Sequence, residues 1–138
     1  MKLEVVVLAA GKGTRMRSAL PKVLHLVAGK PMLSHILESA QKLSPDHIHV
    51  VCGHGAEQVR EYFSQDPNIN WIFQAEQMGT GHAVCQALPD ISTQSTVLVL
   101  YGDIPLILPG TLKRLTGEAR DGSLALLSAS FDNPHGYG

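Results

Sequence analysis

A chain of 138 residues, 44% hydrophobic and with a formal net charge of −1, is long enough to bury a core and short enough for a single domain. That balance excludes the strongly charged surface expected of a nucleic-acid or membrane partner. No apolar stretch approaches the ~20 residues that span a bilayer, and no lipidation signal is present.

Cys52 and Cys85 show no CxxC or CxxH spacing, which fits a reduced cytoplasmic protein better than a disulfide scaffold or zinc site. Both read as small core residues. Charge is distributed unevenly. Residues 1–30 hold Lys2, Lys12, Arg15, Arg17, Lys22 and Lys30 against Glu4 alone, leaving a net −6 for the rest of the chain. One end of the sequence is built to meet a small anion.

The opening MKLEVVVLAA has the composition of a secretory signal, but its apolar run is short, Glu4 precedes it and Gly11-Lys12-Gly13 follows at once. Residues 5–10 therefore read as a buried first strand. Pro31 then sits at a helix start, and Leu33, Ile36, Leu37, Ala40 and Leu43 share one helical face until Ser44-Pro45 stops it. Residues 48–52 form a second strand, 56–63 a short helix and 70–73 a third strand, with Asp66-Pro67-Asn68 as punctuation. A helix over 81–88, a fourth strand over 96–101, a helix after Pro109 and a fifth strand over 124–130 complete the series. Strands alternating with helices predict an α/β protein, a Rossmann-like three-layer α/β/α fold with a mainly parallel sheet. No repeat or linker divides residues 1–138, so they form one unit. The chain stops without a helix to cover its fifth strand, which suggests a domain incomplete at its C-terminal side.

In open α/β sheets ligands bind beyond the carboxyl ends of the strands. The loop there is Leu8-Ala9-Ala10-Gly11-Lys12-Gly13-Thr14-Arg15-Met16. Its glycines let backbone N–H groups approach phosphate oxygens. It is not the dinucleotide fingerprint, because Met16 stands at the third glycine, nor a Walker A loop, which needs four residues between its glycines. A bare GxG is also compatible with a structural turn. The company of Lys12, Arg15, Arg17 and Lys22 favours phosphate, since clustered cations repel unless an anion neutralises them. A second feature is the apolar strand ending Tyr101-Gly102-Asp103, whose carboxylate can hold magnesium together with substrate phosphates, or simply cap a turn before Pro105. A third is Gln74-Ala75-Glu76-Gln77-Met78-Gly79-Thr80-Gly81-His82-Ala83, where side-chain amides match the donors and acceptors of a base edge or are merely solvated. His25, His54 and His82 have no catalytic partner spacing and read as packing or hydrogen-bonding residues.

LAAGKGTRM (residues 8–16), LPKVLHLVAGKPM (20–32), QAEQMGTGHA (74–83), LYGDIPLI (100–107) and GYG (136–138) together resemble one family. It is the bacterial bifunctional N-acetylglucosamine-1-phosphate uridylyltransferase and glucosamine-1-phosphate N-acetyltransferase. The resemblance implies that residues 1–138 are the N-terminal part of a nucleotidyltransferase (pyrophosphorylase) domain that is Mg²⁺-dependent. Its reaction would join UTP and N-acetylglucosamine-1-phosphate into UDP-N-acetylglucosamine and pyrophosphate, for peptidoglycan and lipopolysaccharide precursors. Leu8, Ala9, Ala10, Gly11 and Gly13 would meet the nucleotide, Arg15 and Lys22 its phosphates as the catalytic pair, and Gln74, Gly79 and Thr80 the uracil. Tyr101, Gly102 and Asp103 would line the nucleotide-sugar site, with Asp103 the metal ligand and Gly138 near the sugar. The family's second metal ligand and its acetyl-transferring, trimer-forming β-helix have no counterpart in these residues. A related sugar-phosphate or molybdopterin nucleotidyltransferase, or a nucleotide-binding module without turnover, are the alternatives.

Overall fold

The computed structural model describes residues 2–11, 13, 16–120 and 122–136. The opening strand, β1 (Lys2–Ala9), starts earlier than its apolar run. Val5, Val6 and Val7 are fully buried, as a strand covered on both faces requires. A turn of 3-10 helix (Lys22–Leu24) follows the glycine loop, then the two-residue pair β2 (Leu26–Val27) and β3 (Lys30–Pro31). Ala28 and Gly29 join them with φ of 49° and 80°, the left-handed sense at both positions that a tight hairpin turn demands. Helix α1 (Met32–Gln41) begins after Pro31 and buries Met32, Leu33, Ile36, Leu37 and Ala40. Leu43 packs against the same core. Then come β4 (His47–Cys52), α2 (Ala56–Tyr62), β5 (Ile69–Phe73), α3 (Thr80–Ala87), β6 (Ser95–Tyr101) and α4 (Pro109–Glu118).

The four long strands form one parallel sheet in the order β5-β4-β1-β6. The chain moves outward from β1 to β4 and β5, then crosses back to pair β6 on the other side of β1. Right-handed crossovers running in opposite directions put their helices on opposite faces. Accordingly, Leu3, Val5, Val7 and Ala9 pack with α1, Val59 of α2 and Leu112 of α4. Val6 and Leu8 face Ala83 and Ala87 of α3. The expected three layers are present.

Two sequence expectations are corrected. Residues 124–130 are not a strand. They carry strand-forming residues, but a strand exists only through a ladder partner. This segment instead faces β6 across a cavity of about 470 Å³ lined by Val97, Val99, Tyr101, Leu124 and Leu126, which leaves Leu124 and Leu126 more than 80% exposed. Cys85 is exposed rather than a core residue. Cys52 is buried, and burial pushes its thiol up to about 12, opposed only in part by Arg60. That thiol is an inert packing group.

At the amino edge of the sheet, Glu4 is a buried carboxylate within an otherwise apolar strand. Its Oε1 accepts from Ser95 Oγ at 2.7 Å and from the Ser92 N–H at 3.0 Å, and its Oε2 accepts from His49 Nε2 at 2.9 Å. Asn70 Nδ2 in turn donates to His49 Nδ1 and to Asp90 Oδ2. Burial alone would push the Glu4 carboxyl up. Hydrogen bonds from Ser95, His49 and Ser92 outweigh it and hold the group down at about 2, against 4.5 when free. A depressed folded-state value means that this carboxylate stabilises the fold above the unfolded value. The contribution is lost as pH falls from about 4.5 toward 2. Glu4→Gln should therefore cost about 2–3 kcal/mol at pH 7 in urea unfolding, and the gap to wild type should narrow steadily below about pH 4.5.

Candidate functional site

β1 has β4 on one side and β6 on the other, so a crevice opens where the chain direction across the sheet reverses. The carboxyl ends of the strands deliver Ala10 and Gly11 from β1, Gly53 from β4, Gln74 from β5, and Gly102 and Asp103 from β6. Two of these positions admit little beyond glycine. The Gly102 N–H donates to Leu8 O at 2.9 Å, and a Cβ there would lie 3.1 Å from that same oxygen and from Val23 Cγ1. A Cβ on Gly53 would lie 3.2 Å from Ala10 O and 3.0 Å from Gln77 Nε2.

Gly13 has φ of +60°, and a Cβ on it would fall 2.7 Å from Lys22 Cβ. Lys22 is steered by Val23 and Leu24, which are buried beneath it. On the other side Gly55, with φ of +71°, leaves room for Pro21, whose Cγ would be 2.5 Å from an added Cβ. Held this way, Lys22 Nζ donates to Asp103 Oδ2 at 2.7 Å, a contact between residues 81 apart in sequence. Both side chains stay about one-third exposed, so solvent reaches the pair.

The β5 side is closed by amides. Gln74 is buried and its backbone N–H donates to Cys52 O at 2.7 Å. Its Nε2 donates to His82 Nδ1 at 2.8 Å and lies 3.5 Å from Gly79 O. The Gln77 side chain donates to Ala10 O, tying this loop to the end of β1. Gly79, with φ of +100°, precedes α3 as its N-cap, leaving Gly79 and Thr80 exposed.

Of the residues nominated from sequence, Lys22 and Asp103 are in direct contact. Leu8, Ala9, Ala10, Gly11, Gly13, Gln74, Gly79, Thr80, Tyr101 and Gly102 lie along the same edge of the sheet. Arg15 and Gly138 fall outside the described residues. His54 is exposed, His82 bonds Gln74, and His25 Nε2 is buried without a hydrogen-bond partner among the described residues. Sequence reasoning gave no role to Gly55, read Pro21 only as stiffening the run into Lys22, and read Gln77 only as one of the amides of its segment. Their parts depend on neighbours distant in the chain, which no local pattern reveals. Among the described residues, no group of three or more His, Cys, Asp or Glu side chains gathers to hold a metal.

Residues 5–137 match the model of the MobA-like NTP transferase domain. The chain belongs to that family. It is 59% identical over 138 residues to the bifunctional protein GlmU of Pseudomonas putida, all of this chain and 30% of that one. With the bifunctional protein GlmU of Marinobacter nauticus the identity is 54% over 136 residues, again 30% of the relative's length. The chain thus spans about a third of the length of these curated relatives. Among solved structures, a Methanothermobacter nucleotidyl transferase superposes with a TM-score of 0.75 at 23% identity, over 84% of this chain and 57% of that one. A Mycobacterium tuberculosis protein in complex with manganese gives 0.71 at 25% identity, over 85% and 59%. The nucleotidyltransferase fold accounts for the parallel sheet and for the glycine loop at its carboxyl edge.

Gly13→Ala should cost about 1–2 kcal/mol, because alanine must adopt a left-handed backbone and displace Lys22. Gly11→Ala is the control, with open space around its added Cβ, and should shift the urea midpoint little.

Proposed function

We propose that the chain carries uridylyl transfer from UTP to N-acetylglucosamine-1-phosphate, giving UDP-N-acetylglucosamine and pyrophosphate for peptidoglycan and lipopolysaccharide precursors. The observation that carries the reading is the contact between Lys22 and Asp103 at the carboxyl edge of the sheet. It couples a cation suited to phosphate oxygens with a carboxylate suited to a cation, in a cleft that solvent reaches. The 54–59% identity to bifunctional GlmU proteins supports the choice of sugar phosphate and base.

The nucleophile is a phosphate monoester whose second pKa is near ~6, so it is an anion at neutral pH and needs no general base. Its oxygen attacks the α-phosphorus of UTP in line, the bond from that phosphorus to the bridging oxygen breaks, and pyrophosphate departs with the electron pair. What the protein contributes is alignment and charge neutralisation. Lys22, and Arg15 on the same loop, meet the phosphates. Leu8, Ala9, Ala10, Gly11 and Gly13 border the nucleotide, and Gln74, Gly79 and Thr80 border the uracil. Tyr101 and Gly102 border the sugar nucleotide, and Gly138 the sugar.

The described residues fit Mg²⁺ of the kind carried in with a nucleotide. Asp103 is a single carboxylate, already facing the Lys22 ammonium as a stand-in cation, and magnesium commonly takes one or two carboxylates with the remaining ligands from phosphates and water. When bound, such an ion offsets the charge that builds on the departing pyrophosphate. Full-length relatives are expected to work in the cytoplasm as homotrimers that also transfer acetyl groups.

With Mg²⁺ and a panel of nucleoside triphosphates, pyrophosphate release should be fastest with UTP. Lys22→Ala and Asp103→Asn should each lower it by about 100-fold. In calorimetry on the 138-residue chain, Asp103→Asn should weaken Mg²⁺-dependent UTP binding by about tenfold. A preference for another base, or indifference to both substitutions, refutes the reading.

A further inference from the structure

The side-chain amide of Gln74, in the candidate base site, has a polarity that is ambiguous by shape. Its oxygen and nitrogen are nearly the same size, and which of them faces outward decides whether the residue accepts or donates. The neighbours settle the orientation. Gly79 O, 3.5 Å from one end of the amide, can only accept, so that end is the nitrogen. The same nitrogen lies 2.8 Å from His82 Nδ1, so Nδ1 must be the ring's acceptor. The ring proton of a neutral histidine then sits on Nε2. His82 Nε2 in turn lies 3.2 Å from Gln86 Nε2, one helical turn further along α3. A protonated Nε2 cannot accept from that nitrogen, so the Gln86 amide must turn end for end to offer its oxygen, and Gly79 O is what keeps the Gln74 amide from turning likewise. The chain of bonds Gln74 to His82 to Gln86 therefore runs in one direction, and it leaves Gln74 Oε1 as the atom available to a ligand.

We infer that His82 is a positioning residue for base selection: by accepting through Nδ1 it holds Gln74 with its carbonyl outward, and so favours uracil over cytosine. The inference rests on the uridine reading above. The chemistry of the two pyrimidines separates them at one atom. Uracil N3 carries a hydrogen that Oε1 accepts, whereas cytosine N3 carries a lone pair that Oε1 repels. A site built on such a bond discriminates strongly, because the wrong partner leaves a buried polar group unpaired. If His82 carried its proton on Nδ1 instead, two donors would face each other. Gln74 would turn over and the preference would invert.

Two substitutions separate positioning from packing. His82→Ala removes the acceptor and lets the amide turn. His82→Asn keeps an acceptor, since Oδ1 stands the same number of bonds from the backbone as Nδ1. In calorimetry on the 138-residue chain with Mg²⁺, His82→Ala should reduce the ratio of UTP to CTP affinity by about tenfold, and His82→Asn should retain it. Independently of any nucleotide, nitrogen-15 NMR of the free chain should find His82 Nδ1 unprotonated. A protonated Nδ1 overturns the inference, as does His82→Ala weakening both nucleotides equally or leaving the ratio intact. If the wild-type chain shows no preference for UTP over CTP, the uridine reading is what fails. The NMR result then still decides whether His82 orients the amide.

Discussion

Pairing of β6 against the free side of β1 is the constraint on which the site depends. Every other long strand lies on the opposite side of β1, and without this return the carboxylate that ends β6 would have no reason to lie near the loop that ends β1. Register completes the work: Leu8 faces Tyr101, and the next residue, Gly102, closes the ladder on Leu8 O at 2.9 Å. Asp103 is thereby delivered one residue beyond the last bond of the sheet. Lys22 reaches it from a loop clamped by Gly13 on one side and by Pro21 against Gly55 on the other. Both clamps use a left-handed glycine, a backbone conformation that few side chains tolerate.

The fold was legible in the sequence wherever burial and period agreed. The valine run of β1, the face of α1 and the apolar β4 are dictated by local composition, and their observed bounds differ from the expected ones by a few residues at most. Residues 124–130 show why this logic has a limit. Leu124, Leu126 and Leu127 have the composition of a strand, yet strand formation is a pairwise event, and the neighbour they face across a cavity is β6 without a bond between them. Period cannot report a missing partner. For the same reason the pair β2 and β3 escaped notice, being two residues long and defined by a left-handed turn at Ala28 and Gly29.

Site residues divide along similar lines. Gly11, Gly13, Lys22 and Asp103 stand out because glycine beside clustered cations, and a carboxylate after an apolar strand, are unusual compositions. Gln77 and His82 do not stand out. One donates to Ala10 O from across the end of β4, and the other accepts from Gln74 where the chain turns from β5 into α3. Glu4 is the most instructive case. Read in sequence it argued only against a secretory signal. In the fold it anchors Ser92, Ser95 and His49, binding the start of β6 and the turn before it to the centre of the sheet.

The two carboxylate contacts of β1's neighbourhood are opposites in kind, and the difference separates support from function. Glu4 and His49 are almost completely buried, with the remaining acceptor of the carboxylate satisfied by Ser92 and Ser95. Removing His49 leaves a buried carboxylate short of a donor in a medium that cannot solvate it, so this contact cannot be exchanged without loosening the sheet. Lys22 and Asp103 are one-third exposed, and water can replace either partner. Such a pair contributes little to stability. Its members can part at small cost when a better anion and a better cation arrive together, as a nucleotide carrying its metal would. A strong, closed pair at the amino edge keeps β1, β4 and β6 in register, and that register lets a weak, open pair at the carboxyl edge remain aligned while it is free to dissociate.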